Sequence, residues 1–263
     1  MFEIAPFLLA LLVLLAAATL TWAISVPLKN VAIVDVLWGL LFVLAGLTYA
    51  LTVDLAGPRT TFVLILLGLW SVRLSLHIGV RSWGHGEDRR YQAIRVRTEP
   101  HFAAKSLYLV FWLQAALASI ISLPLLGAIA SPAAINWLDY FGAALWLIGV
   151  LFEAGGDWQL TRFKSDPANQ QQVMDRGLWR YTRHPNYFGD FCVWWGFFLI
   201  ALAAGAWWAL PGPIVMSVLL LRVSGVTLLE RNIGERRPAY QEYVRCTNAF
   251  FPGPRRSSGD RFV

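Results

Sequence analysis

The segment Gly177-Leu178-Trp179-Arg180-Tyr181-Thr182-Arg183-His184-Pro185-Asn186-Tyr187-Phe188-Gly189-Asp190 holds the densest set of chemically capable side chains in the chain. Arg180, Arg183 and His184 are residue types that hold phosphates, arginine through paired contacts. Pro185 pre-sets a helix start, where free N–H groups favour anions. Asn186 and Asp190 are i and i+4, so an amide and a carboxylate share one side of that helix. That pairing suits an amide or hydroxyl group of a ligand. Tyr181 and Tyr187 lie in the same segment, Arg162 and Lys164 precede it, and Arg222, Glu230, Arg231 and Tyr240 follow. Together they point to a polyanionic, ring-containing small molecule, a nucleotide cofactor more than a bare ion. Gly84-His85-Gly86 lacks the third glycine and the preceding strand of a dinucleotide fingerprint, so a nucleotide would be held without a Rossmann fold. The bland alternative is a cytoplasmic loop whose positive charge only orients the chain.

A second set lies inside long apolar runs: Asp35, Arg73, His77, Glu153, Asp157, Asp190 and Arg222. A charge at the centre of a membrane span costs at least about 2.5 to 3.5 kcal/mol on insertion scales, so such residues normally face an interior cavity and mark function. At about 100° per residue, Glu153 and Asp157 lie about 40° apart and Glu153 and Lys164 about 20°, provided the helix runs that far. Arg73 and His77 are also four apart with Trp70 on their side, and Asp35 shares a face with Trp38 and Phe42. These stripes predict a polar chamber opening to the cytoplasm. Structural ion pairs, for example Asp35 with Arg73, are the competing explanation. His77, His85, His101 and His184 have no paired spacing, so no metal site is expected. Cys192 and Cys246 give no disulfide framework.

The elements that must position these groups are membrane helices. With 57% hydrophobic residues, 14% charged residues and 13 tryptophans, the chain lacks the roughly one quarter of charged residues that a water-facing surface requires. Seven stretches reach the roughly 20 apolar residues that a span needs. They run from Ile4 to Val26, Val31 to Val53, Thr60 to Val80, Phe102 to Ala128, Trp137 to Leu160, Phe188 to Trp208 and Pro211 to Leu229. The first is read as a span, not a secretion signal, because its flank holds Glu3 and no Lys or Arg. The net charge of +6 is gathered on one side: five arginines follow span three, five basic residues follow span five, and seven arginines lie in the tail. The loops after spans four and six hold none, which predicts an all-α integral membrane protein with its N-terminus outside and its C-terminus cytoplasmic. Nucleic acid is not an expected partner.

On the string Arg183-His184-Pro185-Asn186-Tyr187-Phe188-Gly189-Asp190, the Asp157…Lys164 spacing and the later Leu228-Leu229-Glu230…Tyr240-Gln241-Glu242-Tyr243…Phe251-Pro252, the chain resembles the steroid 5α-reductase superfamily, nearest to its bacterial members. The similarity covers the C-terminal half and, more weakly, Asp35 to Arg81. It implies seven transmembrane helices, NADPH held by the C-terminal helices from the cytosolic side, and reduction of an activated C=C in a lipid-like enone such as a 3-oxo-4-ene steroid. By this resemblance Asp157 and Lys164 stand where the family has an Asp and an Arg contacting the cofactor. Asn186 and Asp190 match its nicotinamide-side residues, and Arg222 an arginine near the nucleotide. The remaining cofactor candidates are Arg180, Tyr181, Arg183, His184, Tyr187, Glu230, Arg231 and Tyr240. The chain departs from the family where the animal enzymes have a Gln-Glu pair on helix two and a tyrosine on helix three to engage the ketone. Helix two offers only Asp35 and helix three has no tyrosine, which leaves Asp35, Arg73 and His77 as the catalytic candidates.

The expected organisation is one transmembrane domain over 1–263: substrate-side helices in 1–80, a cytoplasmic loop over 81–101, cofactor-side helices in 102–229 and a cytoplasmic tail over 230–263. The expected location is a bacterial inner membrane, with membrane lipids and a lipid-like substrate as partners. Two rivals share part of the pattern. An isoprenylcysteine-type membrane methyltransferase also uses an Arg-His-Pro-x-Tyr segment and a late Glu plus Tyr motif, but binds S-adenosylmethionine. A lipid-binding or transport protein would leave the clustered cations without an anionic ligand.

Overall fold

The computed structural model describes residues 2–54, 57–84, 86–223 and 238–256; its regular elements are helices, with no strand among the described residues. Six helices are long and apolar enough to cross a membrane, as in a multi-pass membrane protein. Five are α1 (Ile4–Leu28), α2 (Ile33–Thr52), α3 (Pro58–Ser82), α5 (Phe102–Ile121) and α7 (Trp137–Ser165), and the sixth is α8 (Pro185–Ala203). Between them lie the polar helix α4 (Arg89–Thr98) and the short α6 (Leu123–Ile129). α9 (Pro211–Val218) continues into a π-helical turn, Leu219–Val223, and α10 (Pro238–Cys246) follows. The expected fourth span to Ala128 breaks at Ser122. Pro124 has no N–H for a continuing helix, and α6 starts afresh with that proline in its first turn.

The chain divides into two compact units, Met1–Asp139 with Phe198–Gly212, and Tyr140–Phe197 with Pro213–Val263. The first unit therefore includes α5, which the sequence grouped with the cofactor-side helices. α1 carries no ionisable side chain, and only a narrow stripe of it, including Ala10, Leu14 and Ala18, is buried. α2 and α3 approach through glycines one heptad apart. A Cβ at Gly39 would lie 2.8 Å from Ser75 Oγ, and one at Gly46 would lie 2.7 Å from Leu67 Cδ2. Small residues at such crossings let helix backbones come close where burial from lipid gives no drive.

The first unit also contains a fully buried ion pair. Arg59, at the start of α3, donates from Nε to Asp139 Oδ1 at 2.6 Å and from Nη2 to Oδ2 at 2.8 Å, and both side chains are 0% exposed. Its remaining donors reach the carbonyls of Ala133 and Ala134, and Asp139 Oδ2 also accepts from Asn136 N–H. A buried pair with this many partners ties the loop before α7 to the head of α3. Removing one partner would strand the other charge.

In the second unit α7 and α8 pack backbone against backbone. Cβ atoms at Gly196 and Gly189 would lie 2.7 Å and 2.5 Å from the carbonyl oxygens of Gly142 and Gly149, and one at Gly156 would lie 3.0 Å from Pro185 Cγ. Gly142, Gly149 and Gly156 are spaced by seven, as are Gly189 and Gly196. Any larger residue on this seam would force the helices apart, so the glycines fix the register at which α7 faces the start of α8.

Candidate active site

Each unit holds one constellation. In the first, Asp35 sits in the first turn of α2 and its two carboxylate oxygens each accept a hydrogen bond. The Tyr91 hydroxyl donates to Oδ1 at 2.6 Å, and Arg90 Nη2 donates to Oδ2 at 2.8 Å. Gln114 of α5 donates from Nε2 to the Tyr91 hydroxyl at 3.4 Å. Tyr91 is 6% exposed, while the Asp35 and Arg90 side chains are 21% and 40% exposed, so the cluster runs from a buried ring to an open rim. Burial pushes the Tyr91 phenol well above its ordinary range, and the neighbouring Asp35 charge pushes it further. The phenol is thereby kept as a neutral hydroxyl donor rather than a phenolate.

α4 is what brings Tyr91 there. Asp88 caps it by accepting from Arg90 N–H at 2.8 Å and also accepts from Arg90 Nε at 3.0 Å. Glu87 anchors the helix from the other side. Its Oε1 takes Val31 N–H at 3.0 Å and Arg95 Nη2 at 2.8 Å, and its Oε2 takes Arg95 Nε at 2.9 Å. Burial pushes the Glu87 carboxyl up, but the Arg95 and Val31 hydrogen bonds and the Arg95 charge together hold it below the usual range.

Of the catalytic candidates, Asp35 stands in this cluster, held by Arg90 and Tyr91 rather than by Arg73. Arg73 and His77 are half-buried on α3. Tyr91 was missed. It is outside every apolar run, in a ten-residue polar helix, and its signal is the Asp88 cap just before Arg89, Arg90 and Tyr91.

In the second unit, Asp157 is buried on α7 and Asn186 Nδ2 donates to its Oδ1 at 3.3 Å. The glycine seam places them so, because Gly156 meets Pro185 and the Asn186 backbone nitrogen. α7 does run through Ser165, which satisfies the condition for Glu153, Asp157 and Lys164 to share a stripe; Glu153 is buried and Lys164 is exposed. Asp190 and Tyr187 are half-buried on α8, and the His184 ring stacks on Tyr187 with centroids 5.6 Å apart.

Arg183 is buried. Its backbone N–H donates to Asn248 O at 2.9 Å, and its Nη1 donates to the carbonyls of Thr247 at 2.6 Å and Val244 at 3.1 Å. Thr182 Oγ1 reaches Phe250 O at 2.8 Å, and the Tyr243 hydroxyl donates to Trp179 O. This residue pair thus straps the motif to the segment after α10. Arg180, Tyr181 and Arg222 are exposed, and Tyr240 is buried with its ring 5.5 Å from that of Tyr243. Glu230 and Arg231 lie outside the described residues. Among those described, no group of three or more His, Cys, Asp or Glu is placed to hold a metal ion.

Residue types that could serve an anionic ligand occur in this unit: Lys164, Arg180 and Arg222 are exposed cations, Tyr181 is an exposed ring, and the Asn186–Asp157 pair combines an amide with a carboxylate. Comparison with known proteins covers most of the chain. The family described as "Protein of unknown function (DUF1295)" matches residues 21–247. An uncharacterized protein of Schizosaccharomyces pombe is 28% identical over 289 residues, covering 94% of this chain and 80% of its own length. No solved structure matches the chain.

Proposed function

The chain belongs to the DUF1295 family, and we propose that it is an NADPH-dependent reductase of the C=C bond in a lipid-like enone, of which a 3-oxo-4-ene steroid is the leading example. The observation that carries this is the Asp35–Tyr91 contact at 2.6 Å. The steroid 5α-reductase resemblance lacked a tyrosine on helix three to pair with an acid on helix two; α4 supplies that phenol from the loop beyond. The first unit then handles the substrate and the second the cofactor.

NADPH, when bound, supplies a hydride to the β-carbon of the enone and leaves as NADP+. The electrons of the double bond move toward the carbonyl, whose oxygen gains negative charge. Tyr91 meets that charge: its O–H turns about the C–O bond from Asp35 Oδ1 to the substrate oxygen. Arg90 keeps the Asp35 carboxylate compensated while this happens, and Gln114 continues to donate to the phenol oxygen. A donor pre-placed at a developing oxyanion is worth about 3 to 4 kcal/mol. Water or a side chain then delivers the proton to the α-carbon. Asp35, accepting on both oxygens, is a positioning residue here. In the second unit, Arg180, Lys164 and Arg222 would neutralise phosphates, with Asn186, Asp157 and Asp190 orienting the carboxamide.

The proposal extends to topology. Residues Trp207–Val223 form a shorter apolar helix, and the apolar run continues in sequence to Leu229, giving a seventh span. The one-sided basic clusters put the C-terminus in the cytoplasm and the N-terminus outside, in a bacterial inner membrane. The test is ligand-induced stabilisation of the purified protein in detergent. NADPH is expected to raise its melting temperature and S-adenosylmethionine is not. Stabilisation by S-adenosylmethionine alone would transfer the chain to the methyltransferase class, and stabilisation by neither would favour a lipid carrier.

A further inference from the structure

Gln114 has one satisfied end and one that is not. Its Nε2 donates to the Tyr91 hydroxyl, while its Oε1 is buried and has no hydrogen-bond partner among the described residues. The orientation of an amide is decided by its partners, and here they leave no choice. A phenol has one proton, and Tyr91 gives it to Asp35 at 2.6 Å. Its oxygen can therefore only accept from Gln114, which fixes Nε2 toward the ring and turns Oε1 the other way. The same holds when Tyr91 gives its proton to a substrate oxygen instead. In either state the chain from Arg90 through Asp35 and Tyr91 to Gln114 ends in a buried lone pair with no donor among the described residues.

A π-helical turn over Leu107–Trp112 ends two residues before Gln114 on α5. Such turns shift the register of a helix and are frequent at functional sites. The neighbouring polar atoms do not quench the acceptor: Asp35 and the Tyr91 oxygen are themselves acceptors at this junction, and Arg90 is taken up by Asp35 and Asp88. A buried carbonyl without a donor is costly, and a ligand that brings one relieves that cost on binding.

We propose that Gln114 is a specificity-determining residue whose Oε1 accepts a hydrogen bond from a hydroxyl next to the substrate's carbonyl, so that the substrate class is a hydroxylated enone rather than a bare one. The inference rests on the enone reductase function above. A bare enone offers oxygen acceptors only, and would press its apolar carbons against the Gln114 oxygen. A hydroxy-enone satisfies both ends of the cluster, the carbonyl receiving from Tyr91 and the hydroxyl donating to Gln114. Discrimination of this kind is strong because the site's own polar group is left unpaired by the wrong ligand.

The experiment is equilibrium binding of three probes to the full chain in detergent: a 3-oxo-4-ene steroid and its 2-hydroxy and 4-hydroxy derivatives. At least one hydroxy derivative is expected to bind wild type about tenfold or more tighter than the parent, the effect of one well-made hydrogen bond. Gln114→Met, similar in volume and with only a weakly accepting thioether in place of the amide oxygen, is expected to lose the preference. Gln114→Asn, which withdraws the amide by one methylene, is expected to lose most of it. The preference is a ratio of two ligands on one protein, so partial loss of folding in a variant cancels, and the wild-type ratio stands without any variant. Equal binding of parent and both derivatives by wild type, or an unchanged preference in Gln114→Met, would overturn the inference and leave the reductase intact. No binding of any probe to wild type would overturn the enone function itself, and this inference with it.

Discussion

Tyr91→Phe separates the proposed catalytic role of the cluster from its structural one. The substitution removes one oxygen and leaves the ring in its buried seat between α2 and α5. In the resting protein Asp35 loses the 2.6 Å donor but retains Arg90 at 2.8 Å, and Gln114 loses a weak 3.4 Å acceptor. The stability cost is therefore that of one hydrogen bond to a charged, largely buried carboxylate, about 1.5 to 3 kcal/mol. In the transition state the missing hydroxyl faces a developing oxyanion. Removal of such a donor costs about 2.7 to 4 kcal/mol, or about 10² to 10³ in kcat. The two losses appear in different observables and are told apart that way. Consumption of NADPH with saturating cofactor and a 3-oxo-4-ene steroid reads the catalytic loss, and a thermal melt of the same preparation reads the structural one. The expected pattern is a fall in melting temperature, a fall in kcat of at least about a hundredfold, and little change in NADPH affinity. A kcat within about threefold of wild type, less than about 0.7 kcal/mol of barrier, would refute the assignment of Tyr91 as the carbonyl donor.

Arg59→Ala is expected to destabilise the protein by about 3 to 5 kcal/mol, because Asp139 is left as a buried, uncompensated charge; denaturation at two substitutions, with Asp139→Asn as the second, checks it, and losses below about 1 kcal/mol would show the pair to be dispensable. Gly189→Ala puts a Cβ 2.5 Å from the Glu153 nitrogen and the Gly149 oxygen. Overpacking of this kind costs about 1 to 3 kcal/mol, and the forced separation of α7 and α8 should raise the NADPH dissociation constant by pulling Asn186 from Asp157; unchanged stability and affinity would show the seam to be loose. Glu87 is held below its ordinary range, so its contribution is present above the usual carboxylate pKa and is lost as pH falls through the lower folded value. Proteolytic cleavage within residues 83–101 should accordingly rise under acid conditions in wild type. Glu87→Gln should be cleaved readily at neutral pH, with little further change on acidification.

The membrane architecture was legible in the sequence because hydrocarbon imposes a length and a composition on every span. Hence α1, α2, α3 and α7 start within a few residues of their expected positions. α5 and α6 were read as one span because Ser122 and Pro124 sit inside an apolar run, and periodicity does not register one proline. The Gly177–Asp190 segment was legible as a cluster of polar residue types, but the division of labour within it was not. Arg183 and Arg180 look alike in sequence, and only the docking of Val244 to Phe250 makes the first a buried brace and leaves the second exposed. Tyr91 and Arg59 escaped because their partners, Asp35 and Asp139, lie 56 and 80 residues away. The glycine seam had a local signal, Gly142, Gly149 and Gly156 with Gly189 and Gly196, although glycine spacing alone does not say which helix lies opposite.

Incubation of the purified protein with NADPH and a 3-oxo-4-ene steroid, with mass analysis of the extracted lipid, tests the central claim most directly. The account predicts NADPH-dependent formation of the saturated ketone, two hydrogen atoms heavier than the substrate, at a rate that Tyr91→Phe and Asp190→Ala each reduce. Recovery of unchanged steroid and unoxidised NADPH, for the parent enone and its hydroxy derivatives alike, would contradict it.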